Sequence, residues 1–311
     1  MADKHHHLQT RLYYDYNSYL RELFGCRVQK ISLDAGLTCP NRDGTLGYGG
    51  CIYCNARGSG TGAASQSRSI TEQLNNGKSY LAERYKARKF LAYFQSFTNT
   101  YAPLPELKSL YEEALSVSDI VGLAIGTRPD CVSDELLDYL QSLSEQYLIW
   151  IEYGLQSAHD RTLARISRGH NVTSFLDAVH RTRLRKLNVC AHVILGLPGE
   201  ARDDMLSTAR FLAKMDIQGV KIHLLYVIRG TALESLYNAG EYECLDRDEY
   251  VSTVADFLSC LPSNLVIQRL TGDPHAEELV APLWAMEKQK NLVAITAHMK
   301  AHGIYQGKTC N

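Results

Sequence analysis

Short apolar runs alternate with amphipathic stretches along most of the chain. Six runs, 28–33, 90–94, 120–125, 147–153, 188–195 and 219–225, have the length and composition of buried strands. Each is followed by apolar residues spaced three to four apart, the mark of a helix with one buried face. Ile70, Leu74 and Leu81 open the series, and Val251, Val254, Phe257 and Leu258 close it. Strand then helix, six times over, predicts an α/β protein with a parallel sheet. Six units are too few for an eight-stranded barrel and too regular for an arbitrary open sheet, so the pattern predicts a partial (β/α)6 TIM-like barrel with its chemistry at the C-terminal strand ends. An ordinary doubly wound sheet has the same periodicity. The core is expected over 28–270, with a short helical extension at 1–27, another at 271–311, and a short extra strand at 265–267.

Composition narrows the class. In 311 residues, 45% are hydrophobic and 22% charged, which excludes disorder and collagen-like repeats. No apolar run approaches the roughly 18 residues that span a bilayer, and the N-terminus lacks a secretory signal, so a cytoplasmic protein with no membrane association is expected. Nine cysteines in such a chain are expected as reduced thiols, with metal or cluster ligation where they bunch.

They bunch once, at Cys39, Cys51 and Cys54, spaced C-x11-C-x2-C in a loop with five glycines between residues 36 and 50. Such a loop can wrap backbone around a compact object, and thiolates are soft ligands. Structural zinc takes four ligands from closely spaced pairs, and no second pair follows. Three cysteines suit a [4Fe-4S] cluster with one iron open to a small molecule; surface thiols, or zinc completed by a distant His, share the spacing.

The run 30–55, KISLDAGLTCPNRDGTLGYGGCIYCN, resembles the radical S-adenosylmethionine (SAM) superfamily, and within it the YhcC/YtqA (MnmL) family, relatives of the Elongator catalytic subunit. The resemblance extends over roughly 12–282. It implies that Cys39, Cys51 and Cys54 ligate a [4Fe-4S] cluster whose fourth iron chelates SAM, and that Tyr53 packs near adenine. The long x11 spacing departs from the commonest superfamily arrangement and suits this subfamily.

Further motifs follow the later strands. Gln95, Ser96 and Thr98 stand where the superfamily has a Gly-Gly-Glu-like stretch holding the SAM amino group, here without the glycines. Thr127-Arg128-Pro129-Asp130 resembles the TRPD motif of the Elongator relatives and offers charge at the mouth. Glu152 to Ser157 resembles their ELGxQS, which implies that Glu152 and Gln156 grip ribose hydroxyls; Arg168-Gly169-His170 is also shared with that group. The fifth strand resembles the glycine-rich stretch near adenine, with His192 where a glycine is frequent. Lys221, His223, Tyr226 and Arg229 form a polar set that faces either substrate or structure; the first three are the catalytic candidates.

The net charge of −1 gives no global reason to bind nucleic acid. It hides asymmetry. Arg161, Arg165, Arg168, Arg181, Arg183, Arg185 and Lys186 share one stretch with a single acid, Asp177, while 234–249 is acidic. The helix over 173–187 is expected to leave His180, Arg181 and Arg185 partly exposed, a face that could dock phosphates. The resemblance implies an enzyme that makes a 5′-deoxyadenosyl radical, receives its electron from ferredoxin or flavodoxin, and acts on tRNA, taking carboxymethylaminomethyluridine at the wobble position towards aminomethyluridine. Two alternatives stay open: radical SAM chemistry on a small metabolite such as a porphyrin precursor, or a non-catalytic metal or iron-sulfur RNA-binding protein.

Overall fold

The structure, a computed structural model, describes residues 11–55, 58 and 69–310. All six expected strands are present: β1 (Val28–Leu33), β2 (Lys89–Phe94), β3 (Ile120–Thr127), β4 (Leu148–Gln156), β5 (Asn188–Leu195) and β6 (Gly219–Leu224). The apolar run near 265 becomes a seventh parallel strand. With β7 (Val227–Ile228), β8 (Val266–Arg269) and β9 (Leu279–Ala281), the chain forms one sheet of order β1-β2-β3-β4-β5-β6-β8 and a small antiparallel pair, β7-β9. That pair was not legible as strand, because two or three residues carry no periodicity.

Helices follow the strands as predicted. They are α1 (Tyr16–Phe24), α2 (Ile70–Tyr85), α3 (Leu104–Ser116), α4 (Asp134–Leu143), α5 (Asp160–Arg165), α6 (Val172–Leu184), α7 (Arg202–Leu212), α8 (Ala232–Asn238), α9 (Arg247–Cys260) and α10 (Lys288–Ala301). Their starts are chemically marked: Ser69 with Glu72 caps α2, and Asp246 with Glu249 caps α9. Among the described residues no helix is long and apolar enough to cross a membrane.

Alternation within the strands sorts two interiors. Ile31, Leu33, Phe90, Phe94, Leu123 and Ile125 point outward to the helices and build the main core, a contribution of about 1.5–3 kcal/mol for each large side chain buried. The opposite positions face the curl of the sheet and are small or polar: Lys30, Tyr93, Ala124, Glu152, Lys221. This second interior is the functional one.

The sheet does not close on itself. Instead the chain before α1 bridges the gap, with Ile267 N donating to Tyr14 O at 2.8 Å and Asp15 pairing with Ile267. Tyr16 and Tyr19 then stand edge-on to Trp150, at 5.9 and 5.7 Å between centroids, and plug the N-terminal end of the curl. What remains open is the C-terminal end.

Candidate active site

A cavity of about 390 Å³ occupies that end, a size suited to a small polar molecule. Cys39, Cys51 and Cys54 all line it, with Tyr53. Of the strand-end candidates, Gln95, Thr98, Glu152, Gln156, His192, Lys221, His223 and Tyr226 also line it. Ser96 does not: its hydroxyl is buried, with no hydrogen-bond partner among the described residues. Arg229 does not line it either: it is exposed, and its backbone N–H donates to Glu278 O.

The cysteine loop is fastened to the end of β4 by the Arg168 segment. Asn41 Nδ2 donates to the carbonyls of Ser167 and Arg168 at 2.8 and 2.9 Å, and Ile52 N donates to Ile166 O. Gly169 has φ of +76°, and a Cβ there would lie 2.2 Å from Asn41 Oδ1, so glycine is required for loop and strand end to meet. Gly154 serves the same close approach: a Cβ on it would strike Arg168 Nη2 at 2.4 Å and Gln156 Nε2 at 2.6 Å. A bulge in the β4-β5 register and a φ of +73° at Gln156 turn that side chain into the mouth.

Hydrogen-bond donors converge on the sulfurs. Arg168 Nη1 lies 3.7 Å from Cys51 Sγ, Asn41 Nδ2 3.8 Å from the same atom, and Arg42 Nη1 3.6 Å from Cys54 Sγ. Burial pushes the Cys54 thiol up to about 11, with Cys51 adding to it, so neutral pH alone does not make it a thiolate. Burial opposes the charge on Arg168, but Cys51 and Tyr53 outweigh it and hold the guanidinium charged. Among the described residues no three His, Cys, Asp or Glu side chains converge as a single metal ion requires; the three thiols share a cavity wall instead. Soft donors arranged around a space, with cations behind them, fit a multi-iron cluster held by thiolates.

Arg128 and Asp130 offer less charge to the mouth than expected. Arg128, 1% exposed, donates from Nε and Nη2 to both Asp130 oxygens at 3.0 and 2.7 Å, and from Nη1 to Arg168 O at 2.7 Å. The motif therefore braces the Arg168 segment.

The cavity floor is an ion cluster. Glu152, fully buried, accepts from Lys30 on one oxygen, and from Lys221 at 3.0 Å and His192 at 2.7 Å on the other. Lys221 also donates to Tyr93 OH at 2.6 Å. Burial alone would raise the Glu152 carboxyl, yet Lys221, Lys30 and His192 outweigh it and hold it well below the usual range. Burial lowers Lys221 to about 7 and His192 to about 4, so the histidine is neutral. Glu152 thus meets the cavity with both oxygens already engaged. Lys30 and Tyr93 were missed in the sequence, although both sit on the inward alternation of their strands; polar residues at alternate positions of otherwise apolar strands were the available signal.

The basic stretch of the sequence is largely neutralised by tertiary contacts. Arg181 pairs with Asp177 and Asp134, Arg183 with Asp216, Arg185 with Asp134 and Asp138, and Arg161 with Asp204. Arg168 is buried in the site. The expected phosphate-docking face at Arg181 and Arg185 is corrected: α4 supplies its counter-charges, and only His180 of that trio is exposed.

Comparison with known proteins gives this arrangement a family. Residues 39–212 match the radical SAM superfamily model and 217–301 the radical SAM C-terminal domain. The chain is 42% identical over 296 residues to the uncharacterized protein YtqA of Bacillus subtilis, covering 95% of this chain and 92% of that one. It is 38% identical over 286 residues to protein YhcC of Escherichia coli, covering 92% and 91%. A more distant relative, a tRNA uridine(34) acetyltransferase of Methanocaldococcus infernus, is 27% identical over 187 residues, 56% of this chain and 34% of that protein. Among solved structures, Elp3 of the same archaeon, lacking its N-terminus, superposes with a TM-score of 0.67 at 17% identity, over 90% of this chain and 64% of that one, and shares the fold.

Proposed function

The chain belongs to the radical SAM superfamily and is a radical SAM enzyme; from that premise we propose that it modifies the wobble uridine of tRNA, taking carboxymethylaminomethyluridine towards aminomethyluridine. The observation that carries the cofactor part is the meeting of Cys39, Cys51 and Cys54 on one cavity with Arg42, Asn41 and Arg168 directed at their sulfurs. These cysteines would hold a [4Fe-4S] cluster, and the cavity beside them would take SAM. When bound, the two supply reductive C–S cleavage and a 5′-deoxyadenosyl radical that abstracts hydrogen.

The chain's own residues do the positioning. Tyr53 is next to the last ligand, Gln95 and Thr98 offer polar groups at the end of β2, and Gln156 offers an amide at the bulge of β4. Glu152 fixes Lys30, Lys221 and His192 into a rigid floor. A ferredoxin or flavodoxin would supply the electron.

The tRNA part is supported by the named activity of the distant relative from Methanocaldococcus infernus. Mass spectrometry of nucleosides from total tRNA, with and without this protein in the cell, tests it. Loss of aminomethyluridine derivatives with accumulation of the carboxymethylaminomethyl form is expected; identical nucleoside profiles would refute it.

A further inference from the structure

Among the described residues, one cation in the cavity has neither an acid nor any other side-chain partner. Arg269 lines the wall at the end of β8, and its Nε is shielded from solvent without a hydrogen-bond partner. Among the described residues its side chain takes part in no ion pair or hydrogen bond. The other cavity lysines and arginines have partners: Lys221 is held by Glu152, Lys288 by Asp273 at 2.6 Å, Arg128 by Asp130, and Arg42 and Arg168 by cysteine sulfurs and backbone carbonyls. Strand register sets Arg269 opposite Lys221, at the level of the floor and not the rim. His223 stands close by with its Nδ1 on Leu224 O and its ring 5.0 Å from that of Tyr226. Burial and the Arg269 charge hold His223 well below its ordinary range, so it adds no cation and no anion. A shielded Nε without an acceptor is costly, and a planar pair of oxygens answers the guanidinium fork best.

We infer that Arg269, beside Lys221 and walled by His223 and Tyr226, is a carboxylate-binding subsite for the substrate, reading the end of a substituent that reaches the cavity floor. The inference rests on the tRNA reading for the identity of that substituent, the carboxymethyl end of the modified uridine. The phosphate backbone of an RNA cannot follow it to floor level, whereas a side arm on the base can. The carboxylate of SAM has the same chemistry. Its expected place is beside the cysteines, whose loop is docked on the Arg168 segment at the end of β4, while Arg269 is on the edge strand β8, three strands further along the sheet.

The test uses the reconstituted full-length protein and three probes: free 5-carboxymethylaminomethyluridine, free 5-aminomethyluridine, and SAM. Wild-type protein should bind the first nucleoside roughly ten-fold or more tighter than the second. Arg269→Gln should erase that preference and leave SAM affinity unchanged, and Arg269→Lys should restore part of it. Cluster absorbance near about 400 nm serves as the folding control, and if Arg269→Gln fails it, Arg269→Lys alone carries the comparison through a reduced preference. Equal or undetectable nucleoside binding by wild type, or a preference that survives substitution, overturns the subsite. Loss of SAM affinity in Arg269→Gln overturns it too, by assigning Arg269 to SAM. The two readings fail separately. Unchanged tRNA with an Arg269-dependent preference removes the tRNA reading alone; tRNA turnover without a preference removes the subsite alone.

Discussion

Arg168 sets one end of its guanidinium 3.7 Å from the Cys51 sulfur and donates with Nε and Nη2 to the Gly154 carbonyl, at 3.2 and 2.9 Å. One side chain therefore ties a candidate cluster ligand to the strand end that carries Gln156. Arg168→Met would leave that carbonyl without these donors and the sulfur without its cation. Substitutions behind a metal ligand typically cost about 10- to 100-fold in affinity or activity. Iron content after anaerobic reconstitution, and 5′-deoxyadenosine formed under reductant, should both fall on that scale, with near-wild-type circular dichroism.

Replacing Cys39, Cys51 or Cys54 by Ala should remove the broad absorbance near about 400 nm and all 5′-deoxyadenosine formation. Cys26, Cys131, Cys190, Cys244, Cys260 and Cys310 do not line the cavity. Their replacement should leave both signals in place, measured on the same reconstituted samples.

Glu152 answers Lys30, Lys221 and His192 with one carboxylate. Glu152→Gln should destabilise the protein without its cofactors by about 3–5 kcal/mol in urea unfolding, because two buried cations lose their anion. The pH dependence has two parts with the same sign. Glu152, held low in the fold, contributes stability above its ordinary 4.5 that is lost as pH falls through the folded value. Lys221, lowered to about 7 from 10.5, leaves the unfolded chain binding more protons between those values, so stability should rise with pH across that window. The slope is at most about 1.4 kcal/mol per pH unit. Lys30, Arg269, Tyr93, Cys190, His192 and His223 also face this group from neighbouring strands, and the comparison that isolates Lys221 is Lys221→Met, whose stability should not show its part of the rise.

Arg181 and Arg185 are half-buried among Asp134, Asp138 and Asp177. Reversing both to Glu should cost roughly 1–2 kcal/mol through lost pairs and new repulsion between α4 and α6. The salt dependence of tRNA binding should be unchanged, since these cations are already paired with Asp134, Asp138 and Asp177. A flattened salt dependence in a binding titration would return them to the RNA surface.

The hydrophobic pattern by itself determined the sequence of strands and helices, because burial on both faces of a parallel strand and on one face of a helix leaves a periodic record in local sequence. It also determined the cysteine trio, since spacing within one loop is local information. The seventh strand was visible only as an apolar run, and the β7-β9 pair not at all. What the tertiary structure decided was partnership. Asp134 and Asp138 lie more than forty residues from Arg181 and Arg185, so a count of charge along the chain read a basic face where folding makes salt bridges. Lys30, Glu152 and Lys221 lie on three strands and become one cluster only when the sheet curls and brings their inward positions to one floor. Arg128 reads as charge at a mouth until Asp130 and the Arg168 carbonyl engage each of its three side-chain nitrogens. Arg269 is the converse case: an ordinary arginine in sequence, it is distinguished only by where β8 falls in the sheet and by the lack of a side-chain partner among the described residues.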